Sequence, residues 1–278
     1  MTEEAAIANV LVDPSHPLFV PLTYRLAGRI AHVEWEDLAS DPATASHAVR
    51  QLQRVLGQSA VVSQLRLGFE AEACGADLQR GRDGSPQGLV SPVPPPADAT
   101  VFLAARLVAH ALDVTRRLSS ELRGSSLVIG IVTGPRTLAP MFTDPNCLSG
   151  LYTALFRGYA EAGVAAVLAV ESDVRSGTVA ALGTLRSALN LSGYFGVPLG
   201  IVDASLSEQP SGWNWVFGSD AVLGIDQLEL DPDGVGGQPR PTRSRPLVVT
   251  AAEVHPETPV EWLLAWRDHI ESIKLTEG

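Results

Sequence analysis

Short apolar runs rich in β-branched residues recur along this chain, and longer segments with apolar residues at helical period lie between them. That alternation constrains the fold more than any other feature. Parallel strands need a crossover of a dozen residues or more, and a helix is the usual one. The runs at 18–23, 60–65, 127–132, 164–170, 197–202, 221–225 and 246–250 are read as strands. Helices are expected at 41–56, 69–74, 98–122, 147–162, 176–191 and 258–273. Asp41 serves the first as N-cap, with Pro42 in its first turn and Gly57 as its stop. Thr258, Pro259 and Glu261 open the last in the manner of a capped start.

Two stretches break the pattern. Residues 81–96 contain SPQGLVSPVPPP, where the prolines exclude a helix or a central strand and leave an extended loop or lid edge. Residues 230–245 are too rich in glycine and proline for a regular crossover helix, so no eighth βα unit is found. The expected fold is an α/β barrel, closed imperfectly or open at that seam. With 278 residues, 45% of them hydrophobic, one core suffices, and the span 1–278 is read as a single domain.

Composition removes several classes of chemistry. A net charge of −11, spread along the chain, disfavours a nucleic-acid partner. The apolar runs are far too short to cross the roughly 30 Å of a bilayer core. Cys74 and Cys147 form no CxxC pair and no leader-like segment precedes the first strand, so a reducing cytoplasm is the expected location. Lys274 is the chain's lysine, placed in a terminal helix, which leaves no barrel strand to supply a Schiff-base amine. No Gly-Lys-Ser/Thr element suggests a nucleotide, and without a His-x-Cys pair a thiolate zinc site lacks its ligands. Neither cofactor nor metal is expected. Cys74 reads as a small buried residue of a helix face. Trp262 and Trp266, four apart on the last helix, read as core or as a homodimer contact, while Trp213 and Trp215 fall in a loop at 207–218.

In a parallel barrel, reactive groups stand just beyond the carboxyl ends of the strands. That rule selects Arg25, Arg29, Arg66, Arg136, Glu171 with Ser172 and Asp173, Asp203, Asp226, and Glu253 with His255. Guanidinium groups keep their charge and grip carboxylates bidentately, so arginines gathered at one mouth point to an anionic, carboxylate-rich ligand. The alternative is that they pair with Glu171, Asp173 or Asp203 and close the barrel top. Glu171, Asp173, Asp203 and His255 are the candidate proton donors, and His255 otherwise caps the following helix or meets solvent.

Several of these residues lie in segments with a further pattern. Arg25, Ala27, Gly28 and Arg29 in VPLTYRLAGRI resemble the opening Arg-x-Ala-Gly-Arg signature of the uroporphyrinogen decarboxylase family. Asp41–Pro42 with its helix, FEAEACGADL at 69–78, and Gly134, Pro135, Thr137 and Leu138 are similar to later family segments in the same order. So are Glu171 with Ser172, and Pro256, Glu257, Thr258 and Pro259. The resemblance implies a TIM-like (β/α)8 barrel of that type, with one βα unit missing or distorted. It also implies a cofactor-independent decarboxylase or related lyase, with Arg25, Arg29, Arg66, Arg136 and Ser172 as substrate contacts and Glu171, Asp173 and His255 as catalytic groups.

The departures are specific. Arg66 falls where the family places its catalytic aspartate, Met141 where it has a tyrosine, and Ala252 where it has a histidine. A cation at position 66 would repel positive charge developing on a pyrrole, which argues against uroporphyrinogen itself as substrate. A tetrapyrrole of another kind or a specialised metabolite is the expected ligand. A non-catalytic relative that binds an anion or a protein partner is the second reading. A methyl-transferring relative is the third, and it requires an unusual metal set such as His255, Glu253 and Asp226.

Overall fold

The computed structural model describes residues 16–81, 86–172, 183–203, 215–217, 222–223 and 247–275. Its strands are β1 (Leu18–Val20), β2 (Ala60–Val62), β3 (Leu78–Arg80), β4 (Pro86–Leu89), β5 (Leu127–Thr133), β6 (Ala166–Val170), β7 (Leu199–Val202), β8 (Trp215–Phe217), β9 (Val222–Leu223) and β10 (Leu247–Thr250). All but β3 and β4 are parallel, in two sheets ordered β2-β5-β6-β7-β8 and β1-β10-β9. β1 lies beside β2, so the strands succeed one another in space as they do in the chain, and the fold is TIM-barrel-like. Among the described residues the backbone ladder is interrupted between β1 and β2 and between β8 and β9.

β5 shows why these runs become central strands. All of its residues are buried, as expected for a parallel strand covered on both faces. A Cβ at Gly130 would stand 2.8 Å from the Tyr159 ring of the Leu148–Glu161 helix, so that residue faces the helical layer. By alternation Ile129, Ile131 and Thr133 face the other way. Beyond the end of β2, the Gln64 side chain donates to the Ile131 carbonyl at 3.1 Å and so adds one rung to the ladder.

The Pro42–Leu56 helix is capped as its sequence requires. Asp41 accepts from the Ala43 and Thr44 amides at 3.1 Å each, and Gly57 ends the helix in the left-handed region. Other expectations need correction. The segment 81–96 contributes β4, which forms an antiparallel hairpin with β3, and only its proline-rich part is extended. Val93 anchors that part by bonds to Met141 and Thr143. The expected helix 98–122 is two helices, Ala99–Ala104 and Arg106–Glu121, separated by extended backbone at Ala105. The last helix, Val260–Ser272, starts after Pro259 without a side-chain cap, so Thr258 does not act as one.

Among the parallel strands, the one absent from the sequence reading is β8. Trp215 is a buried strand residue and not part of a loop, because an apolar run of three residues carries no readable period. Four residues, 218–221, separate β8 from β9 in the chain and lie outside the described residues. Trp266 is fully buried in the core.

Candidate functional site

The loop between β1 and β2 builds one rim of the mouth. Arg25 and Arg29 lie on the short Tyr24–Ile30 helix that follows β1. The Arg25 amide donates to Glu253 Oε1 at 2.8 Å, tying the start of that helix to the segment after β10. Its guanidinium carbon is 5.0 Å from the centroid of the Trp35 ring, and that of Arg66, beyond β2, is 5.7 Å from the same centroid. Stacking of this kind suits arginine better than lysine. Arg66 also makes a bidentate pair with Glu72, at 2.7 and 3.1 Å, which Arg80 of β3 approaches from its own side at 2.6 Å. Burial pushes the Glu72 carboxyl up, but its bonds to Arg66 and Arg80 pull harder and leave it below the usual carboxylate range.

Across the mouth, Glu171 and Asp203 stand one residue past β6 and β7, their amides still in the ladder through bonds to Val202 and Phe217. Glu171 accepts from the Arg136 amide at 2.9 Å, the Thr137 amide at 2.8 Å and the Thr137 hydroxyl at 2.7 Å. The Ser172 amide donates to the same hydroxyl at 2.8 Å. Arg136 pairs with Asp203 and lies 3.9 Å from Glu171. Gly134 makes this cluster possible, because a Cβ there would sit 2.6 Å from both Glu171 carboxylate oxygens. Burial raises the Glu171 carboxyl above its ordinary range, against the opposing pull of Thr137 and Arg136.

Glu70 is a group that the sequence reading did not single out. It is fully buried, accepting from the Thr133 amide at 2.7 Å and the Thr133 hydroxyl at 2.5 Å. Burial pushes it up to about 7 despite those bonds. Thr133 also receives the Gly68 amide at 2.6 Å, and its carbonyl accepts the Tyr152 hydroxyl at 2.6 Å. Glu70 on Thr133 and Glu171 on Thr137 are thus two versions of one clamp, a buried carboxylate closed on a threonine's N–H and O–H on either side of the Gly134–Pro135 turn. The two threonines of VTGPRTL were the available signal.

The structure therefore joins Arg25 to Arg66 through Trp35, and Arg136 to Glu171, Asp203 and, through Thr137, Ser172. Arg29 belongs to neither group. It donates to the Thr258 carbonyl at 3.1 Å and faces Glu257 at 3.9 Å. His255 is exposed, its Nδ1 accepting from the Glu257 amide at 3.1 Å. Asp173 and Asp226 lie outside the described residues. Cys74 closes the Phe69–Ala73 helix as a half-buried thiol pushed up by burial to about 11, a position at the helix end and not on its face. Among the described residues no group of three His, Cys, Asp or Glu side chains is placed to hold a metal ion, and no helix is long and apolar enough to cross a membrane. A cleft of about 720 Å³ lies at the other end of the strands, where Arg123, Gly163 and Pro198 line it beside the amino ends of β5, β6 and β7.

With this geometry in hand, comparison with known proteins gives a fold and no more. No protein-family model matches the chain, and no curated protein matches its sequence. Among solved structures it is similar to a methyltransferase from Methanosarcina mazei, at 14% identity and a TM-score of 0.63, over 97% of this chain and 99% of that one. A 2,3-dimethylmalate lyase of the PEP mutase/isocitrate lyase superfamily aligns at 12% identity and a TM-score of 0.43, over 97% of this chain and 83% of that one. A putative orotidine 5'-phosphate decarboxylase from Streptomyces avermitilis aligns at 14% identity and a TM-score of 0.40, over 98% and 94%. The likeness to the first of these supports the TIM-barrel-like α/β architecture alone, and the family resemblance read from the sequence gains no specific support.

Proposed function

We propose that the chain is a divergent, shortened relative of the uroporphyrinogen decarboxylases. In this reading residues 1–278 form one barrel unit that acts as a cofactor-independent carbon–carbon lyase on a carboxylate-rich small molecule, a tetrapyrrole or a specialised metabolite. The observation that supports it best is the pair of cations, Arg25 and Arg66, held on the single ring of Trp35 from two neighbouring strand ends. Two guanidinium groups drawn to one place repel each other, and an anion between them relieves that repulsion beyond what Glu72 supplies to Arg66.

Loss of CO₂ leaves an electron pair on carbon, and a proton must then reach that carbon. Arg25 and Arg66 serve the first need, with Arg29, Arg136 and Ser172 extending the grip on the ligand's other carboxylates. Glu171, Asp173 and His255 are the donors for the second. Glu171 has the strongest physical case, since a carboxyl group raised by burial holds its proton closer to neutrality. The test is release of CO₂ from small polycarboxylates and porphyrin carboxylates by the wild-type protein, alongside a thermal-shift screen of the same compounds. An Arg25→Ala/Arg66→Ala protein that keeps every wild-type thermal shift would defeat the reading.

A second reading, a non-catalytic relative that binds an anion or a protein partner, is favoured by the acidic partners of three arginines: Glu257 for Arg29, Glu72 for Arg66 and Asp203 for Arg136. Binding that depends on Arg25 and Arg66 without any CO₂ release would select it.

A further inference from the structure

His110 is a buried imidazole without a well-formed hydrogen bond among the described residues. It lies in the second turn of the Arg106–Glu121 helix, which leads into the amino end of β5 and so has its own first turns at the carboxyl-end rim. Both ring nitrogens are buried, and among the described residues neither has a hydrogen bond of good geometry; the Leu38 carbonyl within reach of the ring already accepts from the Tyr24 hydroxyl. The ring lines a void of about 20 Å³ together with Tyr24, Trp35, Gln64, Arg66 and Phe69. The other polar groups there are already engaged. The Tyr24 hydroxyl donates to the Leu38 carbonyl at 3.2 Å, Gln64 Nε2 donates to the Ile131 carbonyl and the Tyr159 hydroxyl, and Arg66 holds Glu72. A buried polar group without a partner is rare in native proteins, and where it occurs a water or a ligand is commonly the missing partner.

Trp35 lines one side of the void. A volume of this size holds roughly one water. Trp35 is only half-buried and opens a four-residue helix, Trp35–Leu38, in the loop after β1. Its ring is kept in place by side chains: Arg25, Arg66 and the edge of Tyr24, whose ring centroid is 6.3 Å away at 89°. A group held by cations and ring edges is displaced by anything those cations prefer, and a carboxylate is such a group.

We propose that this void is the head of the ligand site, that the Trp35 ring swings out when a ligand carboxylate arrives between Arg25 and Arg66, and that the His110 imidazole donates the hydrogen bond completing the grip. The proposal rests on the carboxylate reading of the same rim given above. Burial holds His110 toward its neutral form, which offers one N–H donor and adds no third cation to a site that already has two. A neutral donor at this position also discriminates, since it rewards an oxygen acceptor that reaches past the arginines.

Citrate and tricarballylate serve as probes, titrated by calorimetry and by intrinsic tryptophan fluorescence into the wild-type protein and its Arg66→Ala, His110→Phe, His110→Asn and Trp35→Phe variants. The expected result is binding by the wild type with a change in tryptophan emission, and a loss of affinity of about tenfold in His110→Phe, the size of one hydrogen bond to a charged group. His110→Asn, which keeps an N–H donor, should stay within about threefold of wild type. Trp35→Phe should lose most of the emission change. Should the Phe variant fail to fold, as judged by circular dichroism, His110→Ala takes its place. Wild-type affinity in the His110 variants, together with lost binding in Arg66→Ala, would overturn the role of His110 and leave the carboxylate reading standing. A full emission change in Trp35→Phe would overturn the gate. Absence of binding to the wild type would defeat the carboxylate reading itself, and this inference with it.

Discussion

The two rims of the mouth use similar residues to opposite effect. On the β5–β7 side, Glu171 receives three bonds from the Gly134–Thr137 turn and Arg136 is paired with Asp203, so the charges are met by fixed partners. On the β1–β2 side, Arg25 and Arg66 stack on an aromatic ring that no ladder holds, Arg66 is paired with Glu72, and the neighbouring His110 imidazole has no well-formed hydrogen bond among the described residues. A satisfied cluster has little to gain from a ligand, because each new contact must displace an old one; an unsatisfied one gains the whole of what it lacks. The difference separates a side of the rim whose groups are held in fixed geometry from a side whose aromatic ring and imidazole can rearrange.

Mutation should break this contrast most strongly on the satisfied side. Glu171→Ala removes the acceptor for three buried donors and is expected to cost about 3 to 5 kcal/mol in chemical denaturation. A loss under 1 kcal/mol would mean that the cluster is looser than its geometry. The second effect is one of pH. The Glu70 carboxyl is raised from 4.5 to about 7 in the folded chain, so between those values the folded state binds more protons than the unfolded one. Its contribution is complete below about pH 4.5 and is lost as the pH rises through 7, a difference on the order of 3 kcal/mol. Glu70→Gln should flatten the slope of stability against pH in that window relative to wild type. An unchanged slope would place the titration elsewhere.

Smaller effects follow. Gly134→Ala puts a methyl group into the Glu171 carboxylate and should cost about 2 kcal/mol, measured as a shift in denaturation midpoint. Arg66→Ala, on the loosely held rim, removes a stack and a partly exposed ion pair from a Glu72 that keeps Arg80, so about 1 kcal/mol is expected. If Arg66→Ala proves costlier than Glu171→Ala, the assignment of the two rims must be exchanged.

Much of this architecture is legible in the chain. The Pro42–Leu56 helix is written in Asp41, Pro42, the apolar stripe and Gly57, all local features whose physics acts within a few residues. The central strands are legible as apolar runs because burial on both faces leaves no other composition. β8 was not legible, since three residues show no period, and neither was the break at Ala105, where no glycine or proline marks it. The candidate site divides along the same line. Glu171, Ser172 and Arg136 are found by their place after strands, whereas Glu70, Trp35 and His110 come from segments that read as ordinary helix or loop.

By itself the sequence determined the class of fold and the stock of charges at one end of its strands, because periodicity and composition are properties of short windows. Only the tertiary structure decided which charges meet. Asp203 takes Arg136, and Arg66 reaches the Trp35 ring, because the sheet brings together loops far apart in the chain. Pairing energies depend on distances of a few ångströms and on burial, and neither quantity is a property of a residue's neighbours in sequence.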